Sequence, residues 1–153
     1  MENTYAKLLV DLAESGLEFV TVGGLACAMN GFVRMTEDVD ILVRRTDDNL
    51  AVLLETLAQV GDGYARELSV GDFADEEGAV RVNEDFAIDI FVRMNGQTFD
   101  SLTDHIRHKK IGTTLIPYLD IPGMLLLKSD SLREKDRIDV LALERLLRER
   151  QDG

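Results

Sequence analysis

The chain has 153 residues, of which 45% are hydrophobic, and it carries a formal net charge of −12. This length and apolar content predict one domain over residues 1–153, and no apolar run reaches the roughly 18 to 20 residues of a membrane-spanning helix. The negative charge argues against general DNA or RNA binding, because an acidic surface repels a polyanion. A phosphate-bearing substrate would need metal cations or local basic groups.

The cysteine content and the N-terminal residues favour a cytoplasmic location. Cys27 is the single cysteine and cannot form an internal disulfide, which is usual for a protein of a reducing compartment. Residues 1–5 contain neither the basic region nor the apolar stretch of a signal peptide. No membrane partner is therefore expected.

Helical and strand patterns alternate along the first part of the chain. Apolar residues at helical spacing predict helices, and short β-branched runs predict buried strands. The predicted elements, in chain order, are a helix over 4–15, a strand over 19–22, a helix over 25–30, a strand over 39–43 and a helix that Asp47 or Asp48 caps and that runs to about residue 60.

The remaining elements continue this alternation. Pro122 suits the first turn of a helix, where its missing N–H group costs nothing. The pattern predicts weaker strands over 64–70 and 79–83, strands over 86–92 and 113–117, and helices over 124–130 and 132–150. Such alternation predicts an α/β or α+β fold, in which helices flank one mostly buried sheet and two helices end the chain.

Two glycines followed by a pair of acids form the most informative stretch. Gly23 and Gly24 end the first predicted strand at the start of a helix, where backbone N–H groups attract anions and glycine lets a phosphate approach closely. Asp38 and Asp40 lie one residue apart on the next strand, so their carboxylates share a face. Two such carboxylates repel each other unless a divalent cation such as Mg²⁺ or Mn²⁺ lies between them.

A third acid interrupts a later strand. Asp89 stands within the apolar run of residues 86–92, where an unpaired charge would be expensive. If its strand neighbours that of Asp38 and Asp40, the three carboxylates can bind two metal ions and support phosphoryl transfer. Each motif alone is common, but their occurrence in this order is much more specific.

The combined pattern resembles the DNA polymerase beta-like nucleotidyltransferase superfamily over about residues 18–147. The nearest branch is similar to the small bacterial lincosamide and aminoglycoside nucleotidyltransferases and AbiEii-type abortive-infection toxins. The residues that carry the resemblance are Gly23, Gly24, Ala26, Gly31, Arg34, Thr36, Asp38, Asp40 and Asp89. The family often has Gly-Ser where this chain has Gly23-Gly24, so one hydroxyl ligand for the phosphates is missing.

The resemblance implies a role for each matching residue. Asp38 and Asp40 would bind both metals, and Asp89 would bind the catalytic metal and act as general base or orient the acceptor hydroxyl. The substrate-binding residues would be Gly23 and Gly24 at the triphosphate, with Arg34 reaching a phosphate and Thr36 capping or buttressing the strand. For Arg34, a salt bridge to Glu37 or Asp38 is an equally good interpretation.

The C-terminal helices contribute a second set of charged residues. Asp136 and Asp139 head the apolar stripe of the last helix, so they should be paired, and Lys128 is the obvious partner. One interpretation is a structural ion pair between two helices. The other is a lysine steered toward a nucleotide phosphate, which the resemblance of Lys128, Asp136 and Asp139 to the C-terminal motif of the AbiEii-like branch favours.

One basic cluster stands out in this acidic chain: His105, Arg107, His108, Lys109 and Lys110. It is interpreted as a solvated loop, with guidance of an anionic acceptor such as an RNA end as the alternative.

Three functions compete. The first is transfer of an NMP from an NTP to a hydroxyl acceptor, which could be a small molecule, a protein or an RNA end such as tRNA. The second is a catalytically degenerate binding protein, such as a toxin–antitoxin component. The third, a metal-dependent phosphohydrolase or nuclease, explains the glycine pair less well.

Overall fold

Six strands pair into one mixed sheet in the computed structural model, which describes residues 3–33, 35–128 and 133–152. The strands are β1 Phe19–Val22, β2 Asp38–Val43, β3 Ala79–Asn83, β4 Ala87–Phe91, β5 Ile106–Ile111 and β6 Thr114–Leu119. Their order across the sheet is β3-β4-β2-β1-β6-β5. The pairs β1–β6 and β2–β4 are parallel, whereas β1–β2, β3–β4 and β5–β6 are antiparallel.

Helices cover both faces of this sheet. They are α1 Asn3–Glu14, α2 Gly23–Met29, α3 Asp47–Leu57, α4 Ile121–Lys128 and α5 Glu134–Asp152, with short 3₁₀ turns at Tyr64–Glu67, Val70–Asp72 and Asp100–His105. This arrangement confirms the predicted α/β sheet flanked by helices. None of the helices in the described ranges combines the length and the apolar character that crossing a membrane requires.

The alternation of side chains along the central strands divides the core into two layers. On one face, Val39 and Ile41 of β2 pack in the same cluster as the leucines of α1 and α3. On the other face, Val22 of β1 and Leu42 of β2 pack with residues of α2, α4 and α5. Because Asp38 and Asp40 alternate with Val39 and Ile41, they lie on the second face.

Three local predictions were wrong. Residues 64–70 form 3₁₀ turns instead of a strand, because Gly63, with a φ of +76°, turns the chain into the first of them. Residues 106–110 belong to the edge strand β5 instead of a loop, although the side chains of residues 107–110 are exposed as expected. The cap of α3 is Thr46, whose side chain accepts a hydrogen bond from the N–H of Asn49.

A buried amide ties α2 to the sheet. Asn30 follows α2 and is 3% exposed, and its Nδ2 donates to the carbonyl of Ala26 at 2.8 Å and to that of Leu119 at 2.9 Å. The second bond joins the end of α2 to the end of β6. The position of α2, which begins directly at Gly23, therefore depends on this side chain.

We expect Asn30→Ala to lower the free energy of unfolding by about 1–3 kcal/mol, because the buried side-chain hydrogen bond that joins the end of α2 to the carbonyl of Leu119 is lost. Urea denaturation measures this loss. Asn83→Ala is the control, since Asn83 is exposed at the edge strand β3 and should change stability by about 0.5 kcal/mol or less. Equal losses in the two variants would contradict the role assigned to Asn30.

Candidate metal centre

The register of β2 and β4 brings three carboxylates together. Asp40 lies directly opposite Asp89 in this parallel pair, and Asp38 lies two residues before Asp40 on the same face. One carboxylate oxygen from each of the three acids lies within 4.8 Å of the others. Asp89 is 7% exposed, whereas Asp38 and Asp40 are partly exposed, so the cluster opens to solvent on one side.

Gly23 makes room for this cluster. Val22, the last residue of β1, pairs with Asp40, and Gly23 turns the chain into α2 with a φ of +66°. A Cβ atom on Gly23 would stand 2.1 Å from Oδ2 of Asp40. Glycine is therefore required here on two counts, the left-handed backbone conformation and the close approach of the Asp40 carboxylate.

Arg81 is the charged partner of the cluster that the sequence did not reveal. It lies on β3 directly opposite Asp89, and its Nε and Nη2 donate to the two Asp89 oxygens at 2.7 and 2.8 Å. Nη2 also lies 3.4 Å from Oδ2 of Asp38. The hydrogen bonds and the negative charge of Asp89, with smaller contributions from Asp38 and Asp40, raise the pKa of Arg81 above its ordinary value.

The donor set fits a divalent cation. Three carboxylates converge from two adjacent strands and supply only hard oxygen ligands, which Mg²⁺ and Mn²⁺ prefer. Arg81 contributes one positive charge to a cluster of three carboxylates. The convergence of these carboxylates, together with the space left by Gly23, makes the cluster suited to holding a metal ion.

The other residues predicted around the glycine and acid motifs have different positions. Gly24 is buried in the first turn of α2, next to Gly23. Thr36 precedes β2, and its hydroxyl donates to the carbonyl of Asp38 at 3.3 Å, so it contacts the strand that carries two of the acids. Arg34 lies outside the described residues.

Lys128 contacts both predicted acids of the last helix. Its Nζ lies 2.9 Å from Oδ1 of Asp136 and 3.1 Å from Oδ2 of Asp139. Burial lowers the pKa of Lys128, but the hydrogen bond and charge of Asp136 and the charge of Asp139 outweigh burial, so that the net shift is upward. The lysine therefore stays charged at neutral pH and links α4 to α5.

The helices that carry this triad pack on the same sheet face as Asp38, Asp40 and Asp89. Leu127 of α4 and Leu143 of α5 belong to the cluster that contains Val22, Leu42 and Phe91. Phe91 follows Asp89 by two residues on β4 and borders a groove of about 270 Å³ that Leu127 and Asp136 also line. A larger groove, of about 790 Å³, lies between α1 and α3 and therefore on the opposite face.

We expect Gly23→Ala to lower the free energy of unfolding by clearly more than Gly16→Ala. Both glycines have positive φ, which costs alanine about 1–2 kcal/mol, but a Cβ at Gly16 meets nothing within 4 Å. Only the Gly23 variant must also displace the Asp40 carboxylate. Urea denaturation of the two variants separates the effects, and equal losses would show that the contact with Asp40 does not constrain position 23.

We expect Lys128→Met to cost about 3–5 kcal/mol of stability, because Asp136 and the fully buried Asp139 lose the charged amine that lies within 3.1 Å of both. Lys7→Met is the matched control, since Lys7 pairs with Asp11 at 2.8 Å on the surface and should change stability by less than about 1 kcal/mol. Thermal and urea denaturation measure both. A small loss in Lys128→Met would mean that the triad contributes little to joining the two helices.

Comparison with known proteins identifies the fold. No protein-family model matches the chain, and no curated protein sequence matches it. The lincosamide antibiotic adenylyltransferase LnuA, in its lincomycin-bound crystal structure, matches with a TM-score of 0.66 and 15% identity over 95% of this chain and 98% of that chain. A Thermotoga maritima protein described as a candidate nucleotidyltransferase matches with a TM-score of 0.52 and 16% identity over 95% of this chain and 86% of that chain. The chain therefore has the fold of these nucleotidyltransferase structures.

Proposed function

We propose that this protein is a metal-dependent nucleotidyltransferase, which moves an NMP from an NTP to a hydroxyl acceptor and releases pyrophosphate. The observation that carries the proposal is the meeting of Asp38, Asp40 and Asp89 within 4.8 Å on a fold shared with an adenylyltransferase. Convergent carboxylates on adjacent strands are what a cation-assisted phosphoryl transfer requires.

The proposed reaction is an in-line substitution at the α-phosphorus of the NTP. The acceptor oxygen forms a bond to that phosphorus, the bond to the bridging oxygen breaks, and pyrophosphate leaves with the bonding electrons. The acceptor proton passes to Asp89 as general base, or to solvent if Asp89 only orients the hydroxyl. Asp89 suits either role because it is buried among the three acids and its carboxylate faces the cluster.

Asp38 and Asp40 would hold Mg²⁺ or Mn²⁺, with Asp89 as a further ligand of the catalytic ion. When bound, such ions neutralise the charge that develops on the phosphates and the leaving group. The protein contributes the fixed separation of the carboxylates, which the pairing of β2 with β4 sets.

The phosphate side of the site would begin at Gly23 and Gly24. Gly24 lies in the first turn of α2, where N–H groups are available to phosphate oxygens, and both glycines lie at the end of β1 beside Asp40. In this proposal Arg34 reaches a phosphate, and Thr36 supports the β2 strand.

Lys128 would complete the site from the helical layer. Asp136 and Asp139 fix its amine, and the triad lies on helices that cover the same sheet face as the acids. A contact to a substrate phosphate is the role we propose for Lys128, with the two acids as the groups that orient it.

The acceptor belongs to the hydroxyl-bearing compounds, proteins or RNA ends, including tRNA. The neighbour LnuA was solved with lincomycin bound, so a small hydroxylated compound is the first acceptor to test. The groove of about 270 Å³ that Phe91 lines, two residues after Asp89 on β4, is the space we propose for it. We further propose a single cytoplasmic domain of the lincosamide-nucleotidyltransferase and AbiEii-like branch, in which the AbiEii relationship raises the prospect of a toxin–antitoxin partner.

A label-transfer assay tests the proposal. The protein is incubated with each α-³²P-labelled NTP, Mg²⁺ or Mn²⁺, and one acceptor pool at a time: lincosamides and aminoglycosides, tRNA, or cell-extract protein. We expect label to enter one pool and to be lost by a factor of about 100 or more in Asp40→Asn, because the cation loses a ligand. Asp85→Asn, which changes an exposed acid just before β4, should keep full activity.

Other outcomes identify the competing functions. NTP-dependent thermal stabilisation without transfer would indicate a degenerate binding protein. Metal-dependent release of NMP in every pool, including acceptor-free buffer, would indicate a phosphohydrolase. If the protein neither binds nor consumes any NTP, the proposal is overturned.

A further inference from the structure

Arg81 covers the carboxylate on which the proposed chemistry depends. Its guanidinium bonds both oxygens of Asp89, at 2.7 and 2.8 Å, in the planar two-pronged geometry typical of strong arginine–carboxylate pairs. The same Nη2 atom lies 3.4 Å from Asp38. Arg81 thus bridges two of the three acids from the strand next to Asp89.

A divalent cation and this guanidinium need the same oxygens. A cation that Asp89 shares with Asp38 and Asp40 must approach Asp89 on the side that faces the cluster, where the Nη2 of Arg81 lies between Asp89 and Asp38. Two positive groups at such a short separation also repel each other. Full engagement of Asp89 by a cation therefore requires Arg81 to loosen or leave this contact.

The position of Arg81 allows it to leave. It stands on β3, an edge strand, and its side chain is 51% exposed, against 10% for that of Asp89. A groove of about 470 Å³ runs beside it, and the acid Glu67 also lines this groove. Asp89, in contrast, lies on the inner strand β4 and is 7% exposed.

We propose that Arg81 is a positioning residue that aligns Asp89 and competes with the divalent cation for its oxygens, so that it sets the metal affinity of the site. This inference rests on the proposed metal centre and adds a residue that the acid and glycine motifs do not contain. Arg81 takes the place of the cation in the metal-free protein, where it offsets the repulsion among the three carboxylates. It yields Asp89 when the cation binds.

Mn²⁺ binding, followed by electron paramagnetic resonance of the free ion without nucleotide, tests this proposal. We expect Arg81→Gln to lower the dissociation constant for Mn²⁺ by about tenfold or more, because a competing positive charge is gone. Arg81→Lys keeps the charge but cannot bond both oxygens in the same plane, so its dissociation constant should fall between those of the wild type and Arg81→Gln.

A matched control comes from a second arginine pair outside the cluster. Arg93 bonds the two oxygens of Asp75 at 3.0 and 3.3 Å, so Arg93→Gln removes a similar ion pair. Because a charge outside the cluster is screened by solvent, this variant should bind Mn²⁺ with an affinity within about twofold of the wild type. In an Asp89→Asn background, the effect of Arg81→Gln on Mn²⁺ affinity should shrink, because the shared carboxylate is gone.

Melting temperatures with and without Mn²⁺ give an independent measurement. The ion should raise the melting temperature of Arg81→Gln by more than it raises that of the wild type.

Each result separates this inference from the proposed function. One possible result is that the wild type binds Mn²⁺, that Asp40→Asn loses this binding, and that both Arg81 variants bind Mn²⁺ as well as the wild type or more weakly. This result would overturn the role of Arg81 and leave the metal centre intact. If neither the wild type nor Arg81→Gln binds Mn²⁺, the proposed metal centre is overturned, and the inference with it. Tighter Mn²⁺ binding in Arg81→Gln, an intermediate dissociation constant in Arg81→Lys and an unchanged one in Arg93→Gln support the proposal.

Discussion

The pairing of Asp40 with Asp89 across two parallel strands is the constraint on which the rest of the site depends. Parallel pairing in this register puts like charges side by side on the sheet face that carries the apolar cluster of Val22 and Leu42. Such an arrangement costs free energy unless positive charge is supplied. The surrounding features either make space for that charge or provide it.

Gly23 and Arg81 meet this requirement in different ways. Gly23 lacks the Cβ atom that would collide with Asp40, so the carboxylate can lie against the turn into α2. Arg81 supplies positive charge from the opposite side of the cluster, through Asp89. The cluster therefore lies between a turn that requires glycine and an edge strand that carries a cation, and its open side is where a substrate can enter.

The sequence predicted the main elements and the three acids, but only part of their surroundings. Asp38, Asp40 and Asp89 could be found because each interrupts or borders an apolar strand, and spacing along one strand fixes which side chains share a face. The partnership of Arg81 with Asp89 depends on which strands are neighbours and in which register, and spacing along one strand carries no such information. The same reason explains residues 64–70 and β5, where glycine-directed turns and pairing with β6 outweighed local patterns.

Arg81 and Lys128 each contact two acids around the proposed site, and the burial of the two cations argues for different roles. Lys128 is 11% exposed and contacts Asp136 and Asp139 between two packed helices, so moving it would take a close positive charge away from two acids in the interior. Arg81 is half exposed on an edge strand, and solvent can receive its charge at little cost. A cation that can leave suits a site that must admit a metal ion. A cation that cannot leave joins the two helices and keeps its amine in one place, as the proposed contact to a substrate phosphate also requires. The difference in exposure therefore indicates that Arg81 can exchange with a metal ion, whereas Lys128 stays in its ion pairs, although the two groups have similar chemistry.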